Sequence, residues 1–324
     1  MSLRILRGAL AAVVLAASST ATFAAEWPEK AVRVIVAYPP GGVSDTVTRA
    51  ISEKLGDRLG TSFVVENKGG AGGTIGMNEV ARAVPDGYVI GFSSVSPLAL
   101  SPAMRKMPYD PQKDIAPIGS VMVSPVVLLG TKTFKGKSVA DLISQSKAEP
   151  ASLRWSTSGP GSLGHLMLEQ LQQAGGIEVT HIPYKGAGQQ LTDALGGQFE
   201  LISTNMSPAL NNHVASGALV PLAIAAPARI VSLPDVPTFS ELGYDAANKM
   251  SVFGFFAPGS TPPAIVEKLN KQINEVIAMP EIQQLLAETN NIPHSSSPQQ
   301  FAADIQKELA ANQELVEKVG LKQE

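Results

Sequence analysis

Residues 159–164 read "GPGSLG", a G-x-G-x-x-G pattern that encloses a serine and is followed at once by His165. Two activities could use that stretch. A dinucleotide fingerprint brings glycine backbone close to a pyrophosphate and needs an acid about 20 residues on for the ribose. Glu178 stands 19 residues past Gly159, but at the start of the next strand-like run, whereas a ribose acid belongs at a strand's end. A serine nucleophile would pair Ser162 with His165, three residues apart on one helix face. The nucleophile elbow G-x-S-x-G is missing, because Pro160 stands where its first glycine should be. Metal chemistry is poorly supplied too: there is no cysteine, and His165, His181, His213 and His294 form no i, i+4 pair. The expectation is a protein that is not an enzyme and has neither cofactor nor metal.

What remains is loop chemistry. "YPPGGVSDT" (38–46), "KGGAGGT" (68–74), "GPGSLG" and "KGAGQQ" (185–190) each run from a strand-like segment into a helix-like one. Such turns aim backbone N–H groups and the positive end of a helix dipole at an anion. Hydroxyls accompany them at Ser44, Ser94, Ser96, Ser156, Thr157, Ser158, Ser162 and Thr204, and none of the nine arginines lies in these loops. Neutral donors in a closed cleft can hold a carboxylate, phosphate or sulfate without a buried counter-charge, if enough of them align. The plainer alternative is that each loop is only a tight turn.

The elements behind the loops decide between these. "VRVIVA" is a β-branched run, and after it Val47, Ile51, Leu55 and Leu59 recur every four residues up to Gly60, a helix with its stop. "SFVVEN" and "YVIGFSS" read as two further strands with a helix between. The order strand, Gly loop, helix, strand, Gly loop, helix, strand then recurs from "LRWSTS" to "FELISTN", offset by roughly 115 to 120 positions. Two α/β units with parallel-rich sheets imply two lobes, and ligands of such sheets bind beyond the carboxyl ends of the strands. All four loops sit at those ends. The helix-like stretches 260–278 and 297–320 are read as packing, started by Thr261-Pro262 and Ser297-Pro298. Phe301, Ile305, Leu309, Val316 and Val319 form the apolar stripe of the last one.

Bulk properties narrow the setting. Basic "MSLRILRG", apolar "ALAAVVLAA" and small-residue "TATFAA" follow one another as in an export leader, with cleavage expected after Ala24. Without Arg4 and Arg7 the chain carries 23 basic and 28 acidic residues, a mild negative charge that makes nucleic acid an unsuitable partner. Disulfides and thiol chemistry are excluded by the lack of cysteine.

Beyond these readings, the blocks "YPPGGVSDTVTR", "VVENKGGAGGTIG", "PDGYVIGFSS", "MPYDPQKDIAPI", "HIPYKGAGQQLTDALGGQFEL", "LPDVPTFSELGY" and "FGFFAPGSTPPAIVEKLN" occur in that order. In these the chain resembles the Bug (TctC-type) periplasmic solute-binding receptors of tripartite tricarboxylate transporters. The resemblance implies a type II periplasmic-binding-protein fold, with residues 25–124 plus 247–324 in one lobe and 125–246 in the other. It implies a small carboxylate ligand and delivery to the membrane subunits of the transporter; a sensor in place of the transporter, or an exported hydrolase, is the alternative, and a periplasmic monomer is expected. Carried onto this chain, it makes Tyr38, Gly41, Gly42, Ser44, Asp45, Ser94 and Ser96 the ligand-binding residues of the first lobe. Ser158, Gly161, Ser162, His165 and Thr204 face them from the second. Many relatives have Asp-Asn where this chain has Thr204-Asn205, so an amine partner is lost and an aromatic or neutral-tailed acid is favoured over an amino acid.

Overall fold

The computed structural model describes residues 27–319, with side chains to Glu317; the leader, its cleavage site and the Val319 side chain lie outside the described residues. The first sheet begins with β1 (Val32–Val36), whose residues are almost all apolar and branched. Val32, Val34 and Val36 enter one core cluster and Ile35 the cluster on the opposite face. A strand buried on both faces is what a run without polar alternation requires. From it the chain passes through α1 (Val43–Leu59) to β2 (Phe63–Asn67), then α2 (Thr74–Ala81) and β3 (Val89–Ser94). β1 pairs in parallel with β2 on one side and β3 on the other. Val47, Ile51 and Leu55 of α1 are fully buried against this sheet, each such side chain contributing about 1.5–3 kcal/mol relative to exposure. The helix ends at Gly60, in the left-handed conformation (φ 66°) that a side chain resists.

Two short helices, α3 (Ser96–Ala99) and α4 (Ser101–Met104), precede β4 (Ile115–Ser124). Only Pro125 separates β4 from β5 (Val126–Gly130), yet β4 belongs to the first sheet and β5 to the second. The second unit then follows: α5 (Val139–Ala148), β6 (Arg154–Thr157), α6 (Leu163–Gly175), β7 (Thr180–Pro183), α7 (Ala187–Gly196) and β8 (Leu201–Asn205). β6 is again central, parallel to β7 and β8. After α8 (Pro208–Ala215) and β9 (Val220–Ala225), the chain returns to the first sheet as β10 (Ser251–Pro258). The remainder is α9 (Pro263–Ile277), α10 (Pro280–Glu288), β11 (Ile292–Pro293) and α11 (Pro298–Val319).

The strand orders are β11-β4-β10-β3-β1-β2 and β7-β6-β8-β5-β9. In each, the third strand of the repeat pairs antiparallel with a strand that has just crossed from the other sheet: β3 with β10, β8 with β5. The expected repeat is therefore an architectural one, closed in each sheet by a crossing strand. Ser297 caps α11 as expected, its hydroxyl accepting from the Gln300 N–H at 3.1 Å. Thr261 does not cap α9: Pro262 takes the cap position and Pro263 the first turn. A proline already offers no N–H in need of a cap, so the device sits one residue later than read.

Candidate functional site

The carboxyl ends of β1, β3, β6 and β8 all open onto one cavity, with Tyr38, Ser94, Ser158 and Thr204 on its walls. About 690 Å³ of space, mouth included, lies between those walls, within the ~300–1,000 Å³ usual for small-molecule sites.

Besides the single-turn α3, whose Ser96 is on the wall, four longer helices begin at this cavity: α1 after Gly42, α6 after Ser162, α7 after Gly186 and α8 after Ser207. The serine starts and the glycine starts differ in what they leave free. Ser162 Oγ accepts from the His165 N–H at 3.3 Å and Ser207 Oγ from the Leu210 N–H at 3.2 Å, caps worth about 1 kcal/mol each. At α1 and α7 no side chain caps the first turn. The orphan N–H groups of those two helices, one from each unit, are thus left for a ligand.

No Asp, Glu, Lys, Arg or His is among the cavity-lining residues described. The polar lining is hydroxyl and amide, set against Val43, Val126, Leu163 and Phe253. Tyr38 meets the Phe253 ring edge-on, 6.1 Å between centroids, and its hydroxyl lies 2.6 Å from Ser94 Oγ. Burial pushes the Tyr38 phenol above its usual range, more than the neighbouring Ser94 and Ser93 hydroxyls lower it, so the group is a neutral hydroxyl.

Of the sequence-derived residues, Tyr38, Gly42, Ser44, Ser94, Ser96, Ser158, Ser162 and Thr204 come together on the cavity wall. Gly41, Asp45, Gly161 and His165 do not line it. Asp45 turns instead to its own loop: Oδ2 accepts from the Gly41 N–H at 3.1 Å, and Oδ1 from Arg49 at 2.9 Å and Asn67 at 3.0 Å. Burial alone would raise this carboxyl; Arg49, the Gly41 N–H and Asn67 outweigh it and hold it below the ordinary range. Gly161 accepts a bond from Ser101 Oγ at 3.2 Å, and its N–H points at His165 Nδ1 at 3.4 Å. The His165 ring is stacked on His181, 4.4 Å between centroids, with Nε2 3.3 Å from Glu169. His165 therefore gives Ser162 its backbone N–H, not its ring, and the geometry of a nucleophile with its base is not formed. Glu178 precedes β7, at the end of the sheet opposite the "GPGSLG" loop, so it does not reach a ligand held by that loop.

Sequence reasoning missed Ala187, Ser207, Asn205 and Ser251 on the wall. Ser207-Pro208 carried a readable helix-start signal, whereas Ser251 lies in an apolar strand run and carried none. It also missed how the loops meet each other. Pro39 is wedged between two glycines, Gly69 of its own unit and Gly186 of the other, and a Cβ on either would strike its ring. Across the cavity mouth, a Cβ on Gly72 would stand 2.8 Å from the Pro160 carbonyl oxygen, and Gly72 has φ 65° besides. The glycine loops serve the close approach of two lobes as much as the exposure of N–H groups.

Two α/β lobes, joined by crossing strands and facing each other over one cavity of neutral donors, define the class of two-lobed solute-binding receptors. Residues 47–321 match the family described as "Tripartite tricarboxylate transporter family receptor". The chain belongs to that family, and its fold is that of the periplasmic binding proteins. Protein BugT of Bordetella pertussis is 36% identical over 298 residues, covering 91% of each chain. Among solved structures, R. palustris Rpa4515 with adipate superimposes with TM-score 0.85 at 31% identity, over 91% of this chain and 99% of that one. MatC (Rpa3494) from Rhodopseudomonas palustris with bound malate gives TM-score 0.84 at 28% identity, over 90% and 100%. Membership of this family implies the periplasm.

Proposed function

We infer that this receptor closes its lobes on a small carboxylate and hands it, unchanged, to the membrane subunits of a tripartite tricarboxylate transporter. The observation that carries this reading is the meeting of two uncapped helix starts, α1 and α7, at a cavity lined by hydroxyls and, among the described residues, by no charged side chain. An anion fits the positive helix ends, and a buried base would be superfluous. Adipate and malate bound to two relatives support the same class of ligand. The lobes are residues 25–124 plus 247–324 and 125–246, hinged at Pro125 and between β9 and β10. Gly42, Ser44, Ser94, Ser96, Ser158, Ser162, Thr204 and Tyr38 touch the ligand; Gly41, Asp45, Gly161 and His165 hold the loops that present them. The working protein is a monomer, exported with residues 1–24 removed.

A thermal-shift series on the chain from Ala25, unfolded and refolded to strip carried-over ligand, tests this. A ligand at 100 times its Kd adds about 2.7 kcal/mol, a rise of several degrees. A rise with a diacid and none with its diamide is the expected result. No rise with any aliphatic or aromatic acid would overturn it.

A further inference from the structure

The hinge end of the cavity has its own chemistry. Asn205 closes β8, and its Nδ2 faces Ser124 Oγ at 3.1 Å, the Pro125 carbonyl at 3.2 Å, the Ser124 carbonyl at 3.4 Å and Ser251 Oγ at 3.1 Å. Two of these partners are carbonyl oxygens, which can only accept, so the amide cannot be turned over without setting oxygen against oxygen. Its orientation is thereby fixed: Nδ2 looks into the hinge, and no donor among the described residues reaches Oδ1. Ser251 is 6% exposed. Its oxygen accepts from Asn205, and its proton, which has no acceptor among the described residues, is there to be offered. Both residues line the cavity. An acceptor, Asn205 Oδ1, thus stands beside a donor, the Ser251 hydroxyl.

We propose that Asn205 and Ser251 form a hydroxyl-recognising subsite, and that the ligand is a carboxylate carrying a hydroxyl that donates to Asn205 Oδ1 and accepts from Ser251. A carboxylate cannot fill this place, having no proton to give Oδ1; a methylene would leave both protein groups unpaired. The inference rests on the carboxylate reading of the site. It adds a mechanical consequence, since Ser251 opens the strand returning to the first lobe and Asn205 also grips the outgoing crossing at Ser124 and Pro125. A ligand hydroxyl placed there ties both crossings at once.

Isothermal titration of the refolded protein with pairs of acids differing by one hydroxyl decides the matter: malate against succinate, 2-hydroxyglutarate against glutarate, citrate against tricarballylate. The hydroxylated member of the pair that binds is expected to bind about tenfold tighter or more. Ser251→Ala should reduce that ratio to under about threefold, by weakening the hydroxy acid more than its partner. Deoxy acids binding as tightly as their hydroxylated partners, or a ratio unchanged in Ser251→Ala, would overturn the subsite while leaving the carboxylate receptor standing. Binding by none of the six acids and by none of the acids of the thermal series would overturn both. If the variant does not fold, the wild-type pairs alone carry the decision.

Discussion

Asp45 is one acid beside a cavity built for an acid, and its surroundings explain why that is tolerated. Its charge is spent on the Gly41 N–H, Arg49 and Asn67, and it lies in the first turn of α1, where a negative charge suits the helix dipole. A carboxyl whose folded pKa is depressed contributes stability above its unfolded pKa, near 3.9 for Asp, and loses it as pH falls through the folded value. Asp45→Asn is therefore expected to lower stability at pH 7 by about 1–2 kcal/mol. The same variant should show a shallower loss than the wild type when acidified below about pH 4. Urea titrations at pH 7 and pH 3 measure both. Equal stabilities at both pH values would mean that the loop holds its shape without the charge.

At the scale of the elements, the loops of the two lobes are shaped for each other. Gly186 has φ 164°, extended backbone open to any residue, so an alanine there meets no conformational strain. It does meet the Pro39 ring, which comes from the other lobe. Gly186→Ala should leave thermal unfolding of the ligand-free protein within about 1 °C while weakening ligand binding about tenfold, the cost of overpacking falling on the closed state alone. Titration calorimetry beside a melting curve separates the two effects; unchanged affinity would show that the Pro39 contact plays no part in closure. Beneath the start of α6, the stacked pair of His165 and His181 makes a second test. Burial, and then the neighbouring His165, lower the His181 pKa to about 4, more than Glu169 raises it, and its Nε2 meets Thr157 Oγ1 at 2.7 Å. With a folded value near 4 against about 6.5 unfolded, the unfolded chain binds the extra proton between them. Stability is full above about pH 6.5 and falls as the solution is acidified towards 4. His181→Gln should flatten melting temperature across that window, which lies above the one set by Asp45. A pH profile as steep as the wild type's would place the titration elsewhere.

At the scale of the molecule, what the sequence made legible and what it hid follow a physical line. The Gly loops and the helix starts are local signals, written within a dozen residues, and their recurrence in a second strand order pointed to the lobes that the folded chain forms. The Pro39–Gly186 contact and the Asn205–Ser251 pair depend on residues brought together from far along the chain, which periodicity and turn chemistry do not encode. The core divides along a similar line. Leu100, Ala103 and Met104, which follow β3 of the first sheet, are packed into the second lobe's cluster, and so is Val316 near the end of α11. The earlier part of α11 anchors in the first lobe through Phe301, Ile305 and Leu309. The helix is thus a third connection between the lobes, beside the two crossing strands. It lies on the hinge side, since Asn312 meets Lys249 just before β10 and the Ala99 carbonyl in α3. Contacts close to a hinge move little when the lobes rotate, whereas those at the rim, such as Pro39 on Gly186, are made and broken. Val316 should therefore be held equally in the open and closed states. Val316→Ala is expected to lower unfolding stability by about 2 kcal/mol through the cavity it leaves, with ligand affinity unchanged within about threefold. That is the reverse of the pattern expected for Gly186→Ala. An affinity loss matching the stability loss would mean that α11 swings with closure and that the hinge consists of the crossing strands alone.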